Sequence, residues 1–156
     1  MDREKKEGRY SRIHAQLEEL LKKTGDLNAR MATVAAVLHH KIDYFFWTGF
    51  YMLKEGELVV QCYQGPVACQ LLEKNRGVCW ASINQGQTLV VDDVHLFPGH
   101  IACDSRSRSE IVVPVRNRSG EILGVLDVDS REKASFDDTD SHWLGKIVGL
   151  IGRGNI

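Results

Sequence analysis

The stretch EIVVPVRNRSGEILGVLDVD, residues 110–129, decides the fold class of this 156-residue chain. Its two runs, 110–116 and 121–129, are rich in β-branched and aliphatic residues, which favour strands. Between the runs, Asn117-Arg118-Ser119-Gly120 is a strong turn sequence of the kind that closes a hairpin. The stretch therefore predicts two antiparallel strands joined by a tight turn.

A second hairpin is predicted further upstream. Residues 44–53 are rich in aromatic side chains and residues 58–63 are apolar, with the turn sequence Lys54-Glu55-Gly56-Glu57 between them. One more strand is expected at 88–91. The segment 67–76 has no clear periodicity, so we expect it to be irregular.

The helical pattern recurs four times along the chain. Apolar residues spaced three or four apart predict the helices, and Asp or Gly residues mark their ends. Helices are expected from near the N-terminus to about Lys23 with Gly25 as C-cap, from the Asp26 cap to Lys41, from Gly77 to about Gly86, and from an Asp137–Asp140 capping box to about residue 152.

These elements predict a single α+β domain over residues 1–156, with an antiparallel sheet and helices packed on one side of it. The N-terminal helices fall within 1–40. The sheet and its loops fall within 44–130, and the C-terminal helix within 137–152.

The composition excludes several classes of protein. A formal net charge of −1 and an isoelectric point near 6.6 give no reason to expect a nucleic acid or an anionic membrane as partner. The sequence contains no apolar run of transmembrane length and no apolar core of a signal peptide. We therefore expect a cytoplasmic protein, and structural disulfides are rare in that reducing compartment.

The four cysteines lie in different sequence surroundings, which predict different roles. Cys62 lies in an apolar strand and is expected to be a small buried residue. Cys79 begins a short helix whose dipole would stabilise a thiolate, but it also lies on an apolar face, so a reactive and a buried role are equally supported. Cys69 and Cys103 lie in polar irregular segments, where a reactive thiol is accessible. Arg106 and Arg108 would favour the thiolate of Cys103, and Asp104 would oppose it.

The spacing of these cysteines does not match any zinc module, since paired C-x-x-C elements are missing from the sequence. His95, His100 and Cys103 could reach one metal ion from a single loop, but no fourth ligand with suitable spacing accompanies them. We therefore predict no metal site.

Acidic residues form a second group. Asp127 and Asp129 alternate along one strand and so point to the same face, which Leu123 and Val125 are expected to cover in part. Glu110 opens the neighbouring strand and can join them. Such a cluster suits the ammonium group of a ligand, and mutual repulsion would raise the pKa of at least one carboxyl group.

Aromatic residues of the first strand are candidate walls for the same pocket. Trp47, Phe50 and Tyr51 are expected there, although aromatic residues on a strand more often belong to a core. Gly49 among them indicates a point where another group approaches the backbone closely.

Seven motifs in chain order resemble the free methionine-(R)-sulfoxide reductases, which are small proteins built on a single GAF domain. The motifs are FWTGFY (46–51), QGPVAC (64–69), RGVC (76–79), DVH (93–95), PGHIACD (98–104), SEIV (109–112) and GVLDVDS (124–130). Two features depart from the family pattern: Trp80 stands where a small residue is expected, and Cys62 is an addition.

The resemblance implies a six-stranded antiparallel sheet with helices behind it and a closed pocket on the other face. It implies reduction of free methionine R-sulfoxide, with thioredoxin as the reductant and without a cofactor. Homodimers are common in the family, and the amphipathic first helix could pack on a second copy.

Residue by residue, the resemblance aligns Cys103 with the nucleophile and Cys69 with its disulfide partner. Cys79 aligns with the third family cysteine, for which resolving and catalytic roles both stay open. Three acids, Glu110, Asp127 and Asp129, align with the pocket acids, and two aromatic residues, Trp47 and Tyr51, align with the pocket wall.

One alternative from another class stays open. GAF domains commonly bind nucleotides or small metabolites for a partner domain, so the chain could be a ligand sensor without chemistry. The length of the chain leaves no room for an output domain, which counts against this alternative.

Overall fold

The computed structural model describes residues 1–100 and 103–152, and it contains the predicted helices and a six-stranded sheet. In chain order the elements are α1 (Arg3–Leu20), α2 (Leu27–Lys41), β1 (Trp47–Lys54), β2 (Glu57–Gln64), β3 (Leu71–Leu72), α3 (Gly77–Gln85), β4 (Leu89–Val91), a 3-10 turn (Val94–Leu96), β5 (Ser109–Arg116), β6 (Ile122–Ser130) and α4 (Asp138–Ile151). The strand order is β3-β2-β1-β6-β5-β4, and every pair is antiparallel. The α+β prediction is confirmed.

Both predicted hairpins are present. The β5–β6 turn contains Gly120 at φ +86°, and the β1–β2 turn contains Glu55 at φ 52° and Gly56 at φ 81°. Left-handed backbone at these positions matches the twist of the flanking strands, which explains the glycine in each turn.

The segment 67–76 is not wholly irregular, contrary to the prediction. Its residues Leu71 and Leu72 form the short edge strand β3, paired with Val59 and Leu58 of β2. Two residues are too few to produce a periodic pattern in the sequence, so β3 could not be recognised from it.

The sheet separates two cores. The larger core lies between the sheet and three helices, α1, α2 and α4, as the prediction of helices on one side requires. The smaller core lies on the opposite face, where α3 packs over side chains from β1, β5 and β6. Only α3 among the described helices lies on this second face, which is the face that carries the pocket.

Two side chains lie on the face opposite to the one expected. Phe50 is fully buried in the helix-side core, because alternation along β1 sends Trp47, Gly49 and Tyr51 to the other face. Leu123 also packs against the helix-side core. It is skipped in the β5–β6 pairing, where Val115 faces Gly124 but Arg116 faces Ile122, so the alternation shifts before Val125.

Two of the predicted helix boundaries are confirmed. Asp26 caps α2 by accepting from the Ala29 amide, and Asp137 forms a capping box with Asp140 at the start of α4. Gly25 is not the C-cap of α1, since that helix already ends at Leu20. The buried guanidinium of Arg30 donates to the carbonyls of Leu21 and Thr24 beyond this end, and so satisfies acceptors that the helix leaves free.

A buried ionic cluster joins α1 to the start of α4. Lys6 Nζ lies 2.6 Å from Asp140 Oδ2 and 3.2 Å from Asp137 Oδ2. Tyr10 and Tyr44 both donate to Asp140 Oδ1. Every charged group in this cluster has an opposite charge beside it, which burial requires.

None of the helices in the described ranges combines the length and the apolar character needed to cross a bilayer.

Candidate active site

A disulfide between Cys69 and Cys103 lies at the opening of the pocket. The two Sγ atoms are 2.05 Å apart and the two Cα atoms 5.5 Å apart, across 34 residues of sequence. The bond joins the β2–β3 segment, which carries Cys69, to the β4–β5 segment, which carries Cys103. Cys103 is exposed and Cys69 is partly buried. The structure therefore forms the pairing that the sequence resemblance implies.

The three predicted acids converge below this disulfide. Strand register brings Glu110 of β5 directly opposite Asp129 of β6, and Asp127 lies two residues away on the same face. Glu110 and Asp127 are each 6% exposed, and Asp129 is half-buried. All three line one pocket with Cys103.

The pKa values of these acids are raised. Burial is the main cause for Glu110, and the charges of Asp127 and Asp129 add to it. Burial also raises the pKa of Asp129, again with a contribution from Asp127. The pKa of Asp127 is raised by burial, while hydrogen bonds from Glu110 and Cys79 act in the opposite direction. Of the three acids, Asp127 is therefore the one whose carboxylate form is best stabilised by hydrogen bonds. Glu110, whose pKa burial raises well above its ordinary value, is the protonated acid that can donate to it.

One atom of the cluster has an unmet demand for a hydrogen bond. Asp127 Oδ1 is buried and has no hydrogen-bond partner among residues 1–100 and 103–152. A buried acceptor without a donor is costly, so this atom suits a donor brought by a ligand.

Cys79 lies within the acid cluster, at the first turn of α3. Burial raises the pKa of its thiol well above the ordinary value, and Asp127, Glu110 and Asp129 raise it further. Of the two roles that the sequence left open for Cys79, these surroundings favour the buried thiol over a thiolate stabilised by the helix dipole. The raised pKa favours the protonated thiol of Cys79, which can donate to Asp127.

Aromatic side chains form one wall of the pocket, as predicted for Trp47 and Tyr51. Their rings stack with centroids 5.7 Å apart, and Trp47 also stacks on Tyr63 at 5.3 Å. A Cβ at Gly49 would lie 2.6 Å from the Trp47 ring and 2.4 Å from Tyr63 Cβ. The group that approaches the Gly49 backbone is therefore the wall itself.

The wall also fixes the segment that carries Cys69. Tyr51 donates its hydroxyl to the carbonyl of Cys69 at 3.0 Å, and Trp47 Nε1 donates to the carbonyl of Pro66 at 3.1 Å. Both aromatic residues thus help to set the position of one sulfur of the disulfide.

The opposite wall contains the N-terminus of α3. Arg76, Gly77 and Val78 line the pocket, and the helix has neither a side-chain cap nor an acidic residue in its first turn. Unsatisfied amide N–H groups at such a helix end suit an anion. The wall also contains His100, whose pKa is lowered by burial and by His95.

Two sets of potential metal ligands occur in or near the pocket. Cys79, Glu110 and Asp127 have ligand atoms within 4.8 Å of one another. The raised pKa values of Cys79 and Glu110 favour their protonated forms, which bind metals poorly. In the set of His95, His100 and Cys103, the sulfur is bonded to Cys69.

Sequence reasoning missed the anchor of the Cys103 segment. Arg106 binds the Asp104 carboxylate and also stacks on Phe46, with 4.9 Å from the guanidinium carbon to the ring centroid. Arg106 is therefore paired with Asp104. No pattern in the sequence around Arg106 indicates that Phe46 is its stacking partner.

Ile101 and Ala102 of the PGHIACD motif lie outside the described residues, as do the last four residues of the predicted domain.

Comparison with protein families and individual proteins gives consistent matches over nearly the whole chain. A family model described as "GAF domain" matches residues 24–154. "GAF domain-containing protein A" from Dictyostelium discoideum is 48% identical over 149 residues, covering 94% of this chain and 92% of that protein. "Free methionine-R-sulfoxide reductase" from Escherichia coli is 36% identical over 142 residues, covering 91% of this chain and 86% of that protein.

Solved structures agree with these matches. The free methionine-R-sulfoxide reductase from Neisseria meningitidis, determined in complex with its substrate, superposes with a TM-score of 0.88 at 42% identity. The superposition covers 92% of this chain and 86% of that one.

Proposed function

The chain belongs to the GAF-domain family that includes the free methionine-R-sulfoxide reductases, and from this premise we propose that it reduces free methionine R-sulfoxide to methionine. The family expected from the sequence motifs is thereby confirmed. The observation that carries the proposal is the Cys69–Cys103 disulfide at the opening of an acid-lined pocket. A pair of cysteines that can close in this way supports a two-electron reduction.

In the proposed reaction, reduced Cys103 attacks the sulfoxide sulfur as a thiolate. Glu110 donates its proton to the departing oxygen, because burial and two neighbouring carboxylates keep it protonated. The oxygen passes to Cys103 as sulfenic acid and methionine leaves. Cys69 then attacks the sulfenic sulfur, water departs, and the disulfide forms.

Two features of the pocket support recognition of an amino acid with both termini free. The ammonium group can donate to Asp127 Oδ1, the buried acceptor without a partner. The carboxylate can accept from the amide groups at the open N-terminus of α3. A peptide-bound methionine has neither charged group at these positions, so it would lose both interactions.

The aromatic wall supports binding of the rest of the substrate. Trp47 and Tyr51 present stacked faces, against which the S-methyl group and the side-chain methylenes can pack. This leaves the polar sulfoxide oxygen directed to the acids and the sulfur to Cys103.

The reduced enzyme must be restored after each cycle. We propose thioredoxin as the reductant, in a reducing cytoplasm, since a dithiol converts the disulfide back to two thiols. Cys79 has no redox step in this scheme, because its protonated and fully buried thiol is a poor nucleophile. A homodimer stays a prediction that a sedimentation measurement can test.

Steady-state assays with three substrates test the proposed function. With thioredoxin as the reductant, we expect turnover of free methionine R-sulfoxide, little turnover of the S epimer, and none of N-acetylmethionine R-sulfoxide. Cys62→Ser is a matched control, since Cys62 is partly buried, packs against the helix-side core and should not affect the rate. Equal turnover of the free and acetylated substrates would contradict the proposed recognition, and a complete lack of turnover would favour a ligand sensor.

A further inference from the structure

The two most exposed large hydrophobic side chains in the described ranges are Val67, at 84%, and Leu96, at 80%. Val67 lies on the β2–β3 segment with Cys69, and Leu96 lies on the β4–β5 segment with Cys103. The disulfide therefore joins the two segments that present these side chains. Single exposed hydrophobic residues are ordinary, but a pair carried by the two segments that a reactive disulfide joins marks an interaction surface more strongly.

Local contacts hold both side chains in the solvent. Leu96 ends a 3-10 turn in which its amide donates to Asp93 O at 3.1 Å, while the following Phe97 packs against the pocket-side core. Val67 follows Pro66, whose carbonyl is held by Trp47, and it lies at the opening of the pocket with Cys103. Because these backbones are fixed, neither side chain is exposed merely as part of a frayed end.

We propose that Val67 and Leu96 form the docking surface for a protein dithiol that reduces the Cys69–Cys103 disulfide at Cys103. This inference rests on the proposed function, which requires the disulfide to be reduced after each turnover. A protein reductant must bring its thiol into bonding contact with one of these sulfurs, so its surface meets the segments on either side. Complexes between redox proteins bury small areas, so the burial of two apolar side chains is a substantial part of the interface.

The difference in exposure between the two sulfur-bearing residues selects the point of attack. Cys103 is exposed, whereas Cys69 is partly buried and its carbonyl is held by Tyr51. The partner thiolate attacks Cys103 Sγ, a new bond forms between partner and Cys103, and the Cys69–Cys103 bond breaks. Cys69 leaves as a thiolate and takes up a proton. The second thiol of the partner then displaces Cys103, so the partner ends as a disulfide and this chain gains two electrons.

The test measures reduction of the preformed disulfide in the absence of any sulfoxide, which separates docking from the proposed substrate chemistry. Oxidised full-length protein is mixed with thioredoxin or with dithiothreitol, and thiols are blocked and counted by mass spectrometry over time. The variants are Leu96→Ser, Val67→Ser and the double substitution. Val90→Ser is the matched control, because Val90 is 40% exposed and lies on strand β4, outside both segments.

For the double variant, we expect the ratio of the thioredoxin rate to the dithiothreitol rate to fall about tenfold, the scale of losing one to two kcal/mol of apolar contact. Leu96→Ser alone should lower the thioredoxin rate by about threefold and leave the dithiothreitol rate unchanged. The ratio for Val90→Ser should match the wild type. An unchanged ratio in the double variant, or an equal fall with both reductants, would overturn the docking surface. None of these outcomes depends on whether the protein reduces methionine sulfoxide.

Trapping identifies the attacked sulfur. A thioredoxin variant without its second cysteine should accumulate as a mixed disulfide, and peptide mapping of this adduct should place it on Cys103. An adduct on Cys69 would overturn the assignment of the attacked sulfur.

Discussion

Arg106 binds both oxygens of the Asp104 carboxylate, at 3.0 Å from Nε to Oδ1 and 2.7 Å from Nη2 to Oδ2. Asp104 is the residue that directly follows the exposed Cys103. The pair lowers the pKa of Asp104 to about 2, chiefly through the side-chain hydrogen bonds from Arg106. Since the same guanidinium stacks on Phe46, the pair connects the Cys103 segment to the residue that precedes the pocket wall at Trp47. The position of the proposed nucleophile thus depends on contacts on the surface.

Arg106→Gln should lower the rate of methionine formation by about twofold to fivefold, the scale of one exposed ion pair. The reason is that the Cys103 segment loses its contact with Phe46 and Asp104. The measurement is kcat and KM with free methionine R-sulfoxide, and kcat should account for most of the loss. Arg131→Gln is the control, because Arg131 lies over the same ring at 5.5 Å but outside the Cys103 segment. Equal kcat in both variants would show that Arg106 has no positioning role.

Lys6→Met should destabilise the fold by about 3–5 kcal/mol, the cost of leaving a buried carboxylate without its partner. Asp140 is fully buried and Lys6 is 4% exposed, so water cannot replace the ammonium group. Urea unfolding of the oxidised protein measures the effect, with Lys5→Met at an exposed neighbouring position as the control. Adding Asp140→Asn to Lys6→Met should recover part of the loss. Similar midpoints for Lys6→Met and Lys5→Met would contradict the structural role of the cluster.

The acid cluster should make stability depend on pH in a defined direction. Folding raises the pKa of Glu110 above its ordinary value of 4.5, so the folded protein retains a proton that the unfolded chain releases. This contribution to stability is fully present below pH 4.5 and is lost as the pH rises through the raised pKa. Glu110→Gln has no such proton to lose, so the free energy of unfolding of the wild type should fall relative to the variant from pH 5 to pH 8. Parallel curves would contradict the raised pKa.

Glu110→Gln should also lower kcat at neutral pH by about 10²-fold or more, because the proposed proton donor is missing. Single-turnover methionine release measures this effect without interference from the reductant. Glu121→Gln is the matched control, since Glu121 is exposed beside the β5–β6 turn and does not line the pocket. A rate for Glu110→Gln within a few-fold of the wild type would assign the proton to another carboxyl group.

Local patterns in the sequence were sufficient for five of the six strands and for the acid cluster that lines the pocket. Turn residues at 54–57 and 117–120 determine both hairpins, and strand alternation brings Asp127 and Asp129 to one face. These features depend on neighbours in the chain or on simple periodicity, which a single sequence displays.

Other features depend on the tertiary structure and could not be predicted. Leu123 lies on an unexpected face because the alternation along β6 crosses a bulge, and Phe50 does so because it alternates with Trp47 and Tyr51, with which the prediction groups it. The sequence left a reactive and a buried role open for Cys79, and the burial of the thiol among the acids, which raises its pKa, is visible only in the folded structure. The stacking of Arg106 on Phe46 joins residues that are sixty positions apart in the sequence, for which no local pattern exists.

The central claim is that Cys103 takes the oxygen and Cys69 closes the disulfide, and one burst measurement tests it most directly. Fully reduced protein is mixed with free methionine R-sulfoxide without a reductant, and methionine and remaining thiols are counted. The wild type should release about one equivalent of methionine and lose two of its four thiols. Cys69→Ser should release about one equivalent and then stop, with sulfenic acid at Cys103, whereas Cys103→Ser should release none. A full burst from Cys103→Ser, or methionine release without loss of thiols in the wild type, would contradict the claim.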